Sequence, residues 1–201
     1  MESSTVLTEP TRLARSPELM SQDDTAVLVI DVQEKLLPHI HGRQRLVWNV
    51  RRLLDATQVL GIPVAATEQY PRGLGATVPE IADRLGDIPS KLTFSCGQCE
   101  GLFQPWVDAG RNKILVVGIE AHVCVMQTVM DLMHDGFRIY VPVDAVGSRF
   151  DLDLHTSLRR MELSGAVLTT TEATLFEWTQ VAGTPEFKKI SALAREVAPS
   201  E

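Results

Sequence analysis

Lys113-Ile114-Leu115-Val116-Val117-Gly118-Ile119-Glu120-Ala121-His122-Val123-Cys124-Val125-Met126-Gln127-Thr128 is the stretch that decides the fold. Its apolar, partly β-branched first half reads as a buried strand that stops at Gly118. After a short polar break, Val123, Met126, Val129, Met130 and Met133 recur at helical spacing. A cysteine therefore stands where a strand hands over to a helix. In an α/β sheet that junction lies at the carboxyl edge of the strands, where ligands bind. The positive end of the helix dipole and nearby free N–H groups favour a thiolate there. Cys124 is the candidate nucleophile, and a buried, inert cysteine at a turn is the plain alternative.

Working outward, Ala26-Val27-Leu28-Val29-Ile30 ends at Asp31 and reads as a central parallel strand buried on both faces. Leu46, Val50, Leu53, Leu54 and Leu60 give a helix closed by Gly61, and Ile62 to Ala66 is the next strand, with Pro63 tolerated at its start. Residues 67–89 carry Pro71, Gly73, Gly75, Pro79, Gly86 and Pro89 and read as loop, with one helical turn at Pro79–Leu85. Long loops in compact domains are usually functional. Residues 99–110 form a short helix. Beyond the opening stretch, the helix runs to Asp135 with Gly136 as its cap, and Phe137–Val141 is a strand. Asp151–Leu163 is a helix capped by Gly165, Ala166–Leu168 a short strand, and 185–197 a last helix. This alternation predicts an α/β protein: a three-layer α/β/α sandwich whose mostly parallel sheet has about six strands, with helices on both faces.

The 201 residues suit one domain, placed at 23–198, behind an N-terminal tail or arm over 1–22. Leu7, Leu13 and Leu19 of that arm can pack on the domain or on a neighbouring subunit. A net charge of −7 lacks the basic footprint of a nucleic-acid or anionic-membrane partner. No apolar run approaches the roughly 20 residues that span a bilayer, and the N-terminus has no apolar signal core. Three cysteines make no disulfide framework. A cytoplasmic protein with a small-molecule substrate, no nucleic acid and no membrane is the expectation.

Asp31, Lys91 and Cys124 carry the chemistry. In a parallel sheet Asp31 and Cys124 emerge at the same edge, and Lys91 lies in the loop-rich middle just before Leu92-Thr93-Phe94. A carboxylate in hydrogen-bond reach can take the thiol proton and return it to a leaving group. A lysine can stabilise both anions, and backbone N–H groups at the turn can hold an oxyanion. Taken singly, Asp31 reads as a helix N-cap and Lys91 as a solvated residue.

With these residues in view, the chain resembles the isochorismatase-like cysteine hydrolase superfamily, which includes nicotinamidases, N-carbamoylsarcosine amidases and isochorismatases. The matching pieces are Val29-Ile30-Asp31-Val32-Gln33, Thr67-Glu68-Gln69-Tyr70-Pro71, Lys91-Leu92-Thr93-Phe94-Ser95, Gly118 through Val125, Asp144 through Arg149 and Thr169-Thr170-Thr171-Glu172, in order over residues 25–178. The Thr-Glu-Gln-Tyr-Pro and Gly-Ile-Glu-Ala-His-Val-Cys-Val segments look closest to the isochorismatase-domain-containing branch. The resemblance implies that Asp31 is the base, Lys91 its lysine and Cys124 the nucleophile. It further implies a non-proline cis peptide at Ile119–Glu120 and an oxyanion hole from the N–H groups of Glu120 and Cys124. The implied reaction is hydrolysis of a small amide, carbamoyl or related carbonyl compound through a thioester, in a homo-oligomer (dimer or larger).

Departures from the pattern narrow this. A nicotinamidase-type Asp-x-His metal motif is missing after the second strand, so no metal and no cofactor are expected. Cys124 argues against isochorismate, because isochorismatases proper work without that cysteine. Ala121-His122 replaces a Thr-Asp pair common before the cysteine. Gln33, Glu68, Gln69, Tyr70, Phe94 and His122 are the candidate pocket residues, with loop polarity or a capped turn as their bland readings. Cys96-Gly97-Gln98-Cys99 has redox or zinc spacing, but a second Cys or His pair is missing. It also lacks the strand-then-helix context of a thioredoxin-like motif. The rival functions are a non-catalytic binding or scaffold protein that retains the fold, and a thiol-redox sensor.

Overall fold

The computed structural model describes residues 14–199. β1 (Thr25–Ile30) and β4 (Lys113–Ile119) lie side by side at the centre of the sheet, in register from Thr25 opposite Lys113 to Ile30 opposite Gly118. Every residue of both strands is buried, as a parallel sheet covered on both faces requires. β2 (Val64–Gln69) and β3 (Ser90–Lys91) extend the sheet on one side, and β5 (Arg138–Pro142) and β7 (Val167–Thr169) on the other, giving the order β3-β2-β1-β4-β5-β7. β6 (Val146–Gly147) pairs with the end of β4. All pairings between these strands are parallel. The expected sheet is therefore present with seven strands among the described residues rather than about six. β3 and β6 have two residues each, too few to show a period.

The period of two sorts the core. Val27, Val29, Leu115, Val117 and Ile119 face one layer, with Leu46, Val50, Leu53 and Leu54 of α1 (Arg43–Leu60), Leu175 and Trp178 of α7 (Thr171–Thr179) and Ile190 of α8 (Pro185–Ala194). Ala26, Leu28, Ile30, Ile114 and Val116 face the other. There they meet Trp106 of α4 (Gln104–Asp108), Val129 and Leu132 of α5 (Met126–His134) and Leu158 and Met161 of α6 (Asp151–Leu163). Each such aliphatic side chain contributes about 1.5–3 kcal/mol. Gly118 has φ +114°, and a Cβ there would lie 2.1 Å from the Ile30 carbonyl oxygen, so only glycine lets β4 approach β1 at this point.

Several expectations shift. β2 starts two residues later than predicted and reaches Gln69, because Gly61 caps α1 and Ile62 still bonds back to Thr57. The segment read as loop contains that strand end, β3, and the short helices α2 (Pro71–Leu74) and α3 (Pro79–Ala82). Cys99 begins no helix, and α4 covers only the second half of the predicted 99–110. α7 went unpredicted. Leu7 and Leu13 of the expected arm lie outside the described residues. Met20, at its end, is fully buried, with its N–H bonded to Glu177 Oε2 at 2.9 Å.

Candidate active site

Asp31 follows β1 directly and has φ 54°, a left-handed conformation that costs a non-glycine residue about 1–3 kcal/mol. Its Oδ1 accepts from Thr67 Oγ1 at 2.8 Å and its Oδ2 from Lys91 Nζ at 2.7 Å. β1 and β2 place Thr67 opposite Ile30, and β2 and β3 place Lys91 opposite Gln69. The ammonium of Lys91 also donates to Gln69 Oε1 at 2.7 Å and to the carbonyls of Phe94 and Thr93 at 3.0 and 3.3 Å. The Asp31 and Lys91 side chains are 0% and 2% exposed. Cys124 sits in a one-turn π-helical segment, Ala121–Val125, that leads into α5. Its thiol lies beside Asp31 and Lys91, whose charges shift its ionisation in opposite directions. All three predicted residues thus come together at the carboxyl edge.

Burial pushes the Cys124 thiol up to about 12; the Asp31 charge adds to this and Lys91 opposes it. Burial likewise raises the Asp31 carboxyl, with Lys91 recovering only part. Burial pulls the Lys91 ammonium down, but Asp31 and the neighbouring thiols outweigh it and hold it above its usual range. The resting site is a protonated thiol beside a carboxylate–ammonium pair. The helix terminus favours the thiolate, but burial and an adjacent carboxylate outweigh it here.

The Ile119–Glu120 peptide is cis, where the resemblance puts it. The Glu120 carboxylate turns away to Arg149, accepting from its N–H at 3.1 Å and its Nε at 3.0 Å. His122 pairs Nδ1 with Ser148 Oγ at 3.0 Å and lies 3.8 Å from Asp153 through Nε2, so it fastens the cysteine turn to the 146–153 segment. Gln33 is a correction. It is fully buried, and its amide is committed to the Gln69 and Gly75 carbonyls (3.0 and 2.7 Å) and the Gln69 N–H (2.8 Å), so it lines no pocket. Glu68 Oε1 holds the Thr77 N–H and hydroxyl at 2.6 and 2.9 Å. Together they lace the 70–77 loop to the sheet. Gln69 supports Lys91, while Tyr70 and Phe94 flank it with half-exposed rings.

Two residues were missed. Thr67 holds Asp31 and was placed in a loop because the predicted strand stopped at Ala66, three residues short of the end of β2. Thr128 donates to the Cys124 carbonyl at 2.6 Å and accepts the Cys96 N–H at 2.9 Å; its spacing of four from Cys124 on a helix was the available signal. Among the described residues, no group of three or more His, Cys, Asp or Glu is placed to hold a metal ion.

A parallel α/β sandwich that gathers a carboxylate, an ammonium and a thiol at one sheet edge is the class that fold and site define. Residues 25–173 match the model of the isochorismatase domain. Isochorismatase domain-containing protein 2A of Mus musculus is 36% identical over 180 residues, 88% of this chain and 85% of that protein. A solved structure described as MAR1 ribonuclease from Caenorhabditis elegans superposes with a TM-score of 0.84 at 38% identity, covering 90% and 95% of the two chains. The YcaC gene product of Escherichia coli, described as an octameric hydrolase of unknown specificity, shares the fold at TM-score 0.78 and 22% identity, covering 90% and 93%. The chain belongs to the isochorismatase family.

Proposed function

We propose that the protein is a hydrolase of a small amide, carbamoyl or related carbonyl compound, with Cys124 as nucleophile, Asp31 as proton carrier and Lys91 as electrostatic partner. The observation that carries this reading is the dry Asp31–Lys91 pair beside the Cys124 thiol, whose ionisation both groups shift. Lys91 keeps the buried carboxylate ionised and ready to accept a proton. As the sulfur attacks the carbonyl carbon, its proton passes to Asp31, and the resulting oxyanion is held by the N–H groups of Glu120 and Cys124. Asp31 returns that proton to the leaving nitrogen, the C–N bond breaks, and a thioester remains. Water, deprotonated by Asp31, attacks the thioester, and the released thiolate recovers the proton. The site proceeds through proton transfer at the moment of attack and needs no standing thiolate.

Ammonia release from a panel of small amides and ureas tests the reading. Cys124→Ala is expected to lower turnover by about a thousandfold or more with unchanged circular dichroism. Undiminished turnover by the pure variant would overturn it. A second reading, phosphodiester cleavage, is favoured by the solved relative described as a ribonuclease. The net charge of −7 and the enclosed carboxylate work against an extended polyanion; cleavage of RNA that Cys124→Ala abolishes would reverse this order. We also infer a homo-oligomer, in line with the octamer described for the E. coli neighbour; light scattering of the full chain measures it.

A further inference from the structure

The proposed chemistry uses one of the three cysteines. The other two stand at the ends of a single turn directly behind the site. Residues 96–98 form a 3₁₀ turn, opened by Ser95 Oγ accepting the Gly97 N–H at 3.1 Å and closed by the Cys99 N–H on the Cys96 carbonyl at 2.9 Å. In a 3₁₀ turn the side chains at i and i+3 eclipse, and the Cys96 and Cys99 thiols sit close enough to shift each other's ionisation in opposite directions. Cys96 is fully buried, whereas Cys99 is partly exposed. Cys99 lines a surface cavity of about 390 Å³ with Ser90, Lys91, Leu92, Thr93 and Gln98. One thiol meets solvent and its partner waits behind it.

The buried partner touches both halves of the site. Cys96 Sγ lies 3.4 Å from Thr67 Oγ1, and that hydroxyl spends its proton on Asp31. The Cys96 N–H is held by the Thr128 hydroxyl, which donates to the Cys124 carbonyl. The turn therefore braces the base through its side chain and the nucleophile through its backbone. We propose that Cys99 and Cys96 are a modification site for a peroxide-class oxidant, closing a disulfide that withdraws the Cys96 thiol from Thr67 and thereby slows Cys124. The slowing rests on the reading of Cys124 as nucleophile; the modification does not.

The Cys99 thiolate attacks one peroxide oxygen, the O–O bond breaks, and hydroxide leaves, giving a sulfenic acid. The Cys96 thiol then attacks that sulfur, and hydroxide leaves with the thiol proton as water. Two thiols and one peroxide become one disulfide and two waters. The neighbouring Cys96 thiol, aided by Lys91, lowers the Cys99 thiol to about 7, which favours attack by this partly exposed sulfur.

Hydrogen peroxide on the full chain carrying Cys124→Ala is expected to remove two hydrogens by intact mass and to join the Cys96 and Cys99 peptides, reversibly with dithiothreitol. In Cys96→Ser the sulfenic acid on Cys99 is trapped by dimedone. In the chain with all three cysteines, brief peroxide treatment should slow iodoacetamide labelling of Cys124 about tenfold, equivalent to one pKa unit. Cys99→Ser should keep the untreated rate. Absence of the disulfide overturns the proposal, and so does a disulfide that leaves Cys124 labelling unchanged. A Cys124 inert in the reduced protein, with the disulfide still forming, would remove the nucleophile reading and leave the modification site in place.

Discussion

An aspartate flanks β1 at each end, and each is paired with a lysine from another strand of the sheet, Lys113 of adjacent β4 and Lys91 of β3 two strands away. Asp24 meets Lys113 at 2.8 Å beneath the amino edge of the sheet, and Asp31 meets Lys91 at 2.7 Å above the carboxyl edge. The distances are nearly equal, yet the two carboxyls shift in opposite directions. Burial raises the Asp24 carboxyl, but Lys113 with Ser21 and Thr25 outweighs it and leaves the group below its usual range. Burial raises Asp31 and wins. The difference is water: the Asp24 side chain is 31% exposed and the Asp31 side chain not at all. One pair is a staple that fastens residues 19–24 to β4, where Lys113 also donates to the Leu19 carbonyl at 2.7 Å. The other, on the proposed reading, is a proton acceptor beside a thiol. Desolvation, rather than contact distance, separates the two roles.

The largest expected effect that would break this comparison comes from removing each lysine. Lys91→Met strands a fully buried carboxylate and should cost about 3–5 kcal/mol in urea unfolding. Lys113→Met leaves Asp24 with water, Ser21 and Thr25 and should cost about 1 kcal/mol. Equal losses would erase the distinction. Next comes the pH dependence of Cys124 labelling by iodoacetamide. In the unmodified chain the rate should keep climbing toward a midpoint of about 12, well beyond the roughly 8.5 of a free thiol. Asp31→Asn removes the nearby negative charge, so labelling in mild alkali should rise about tenfold while turnover falls. A midpoint that ignores Asp31 would uncouple acid from thiol.

The smallest effect is on acid stability. Asp24, held below its unfolded value of about 3.9, gives stability that is present above that value and lost as pH falls through the folded one. Asp24→Asn should flatten that loss in Tm measured across acid pH. Asp31 has the opposite sign. Its raised value gives a contribution complete below the unfolded pKa and lost as pH rises through the folded one, so Asp31→Asn should remove a decline on the way up.

The central strands, α1 and α6 were legible because each rests on a strong local signal, whereas Lys91 joined Asp31 and Cys124 on the strength of the family resemblance. Those signals are continuous apolar runs, glycine caps and polar residues at strand ends. What escaped depends on partners distant in sequence. Thr67 and Gln69 look like loop residues, yet both are strand residues at a sheet edge where polar side chains find Asp31 and Lys91. α7 is rich in threonine, a weak helix former, and is held by buried Leu175 and Trp178 and by Asp144 accepting the Thr171 N–H and hydroxyl at 2.8 and 3.0 Å. The rise of the Cys124 thiol escaped for a related reason: a helix terminus is visible in sequence, and the dryness around it is not.

Gln33 and Glu68 hold the chain between Tyr70 and Thr77 by side-chain bonds at both of its ends. A segment sewn down this way behaves as a stencil rather than a door. On the proposed reading, selection among substrates would then fall to the outlines of Tyr70 and Phe94 beside Lys91, two half-exposed side chains outside these stitches. For an engineer, that makes specificity a matter of reshaping an edge already held still.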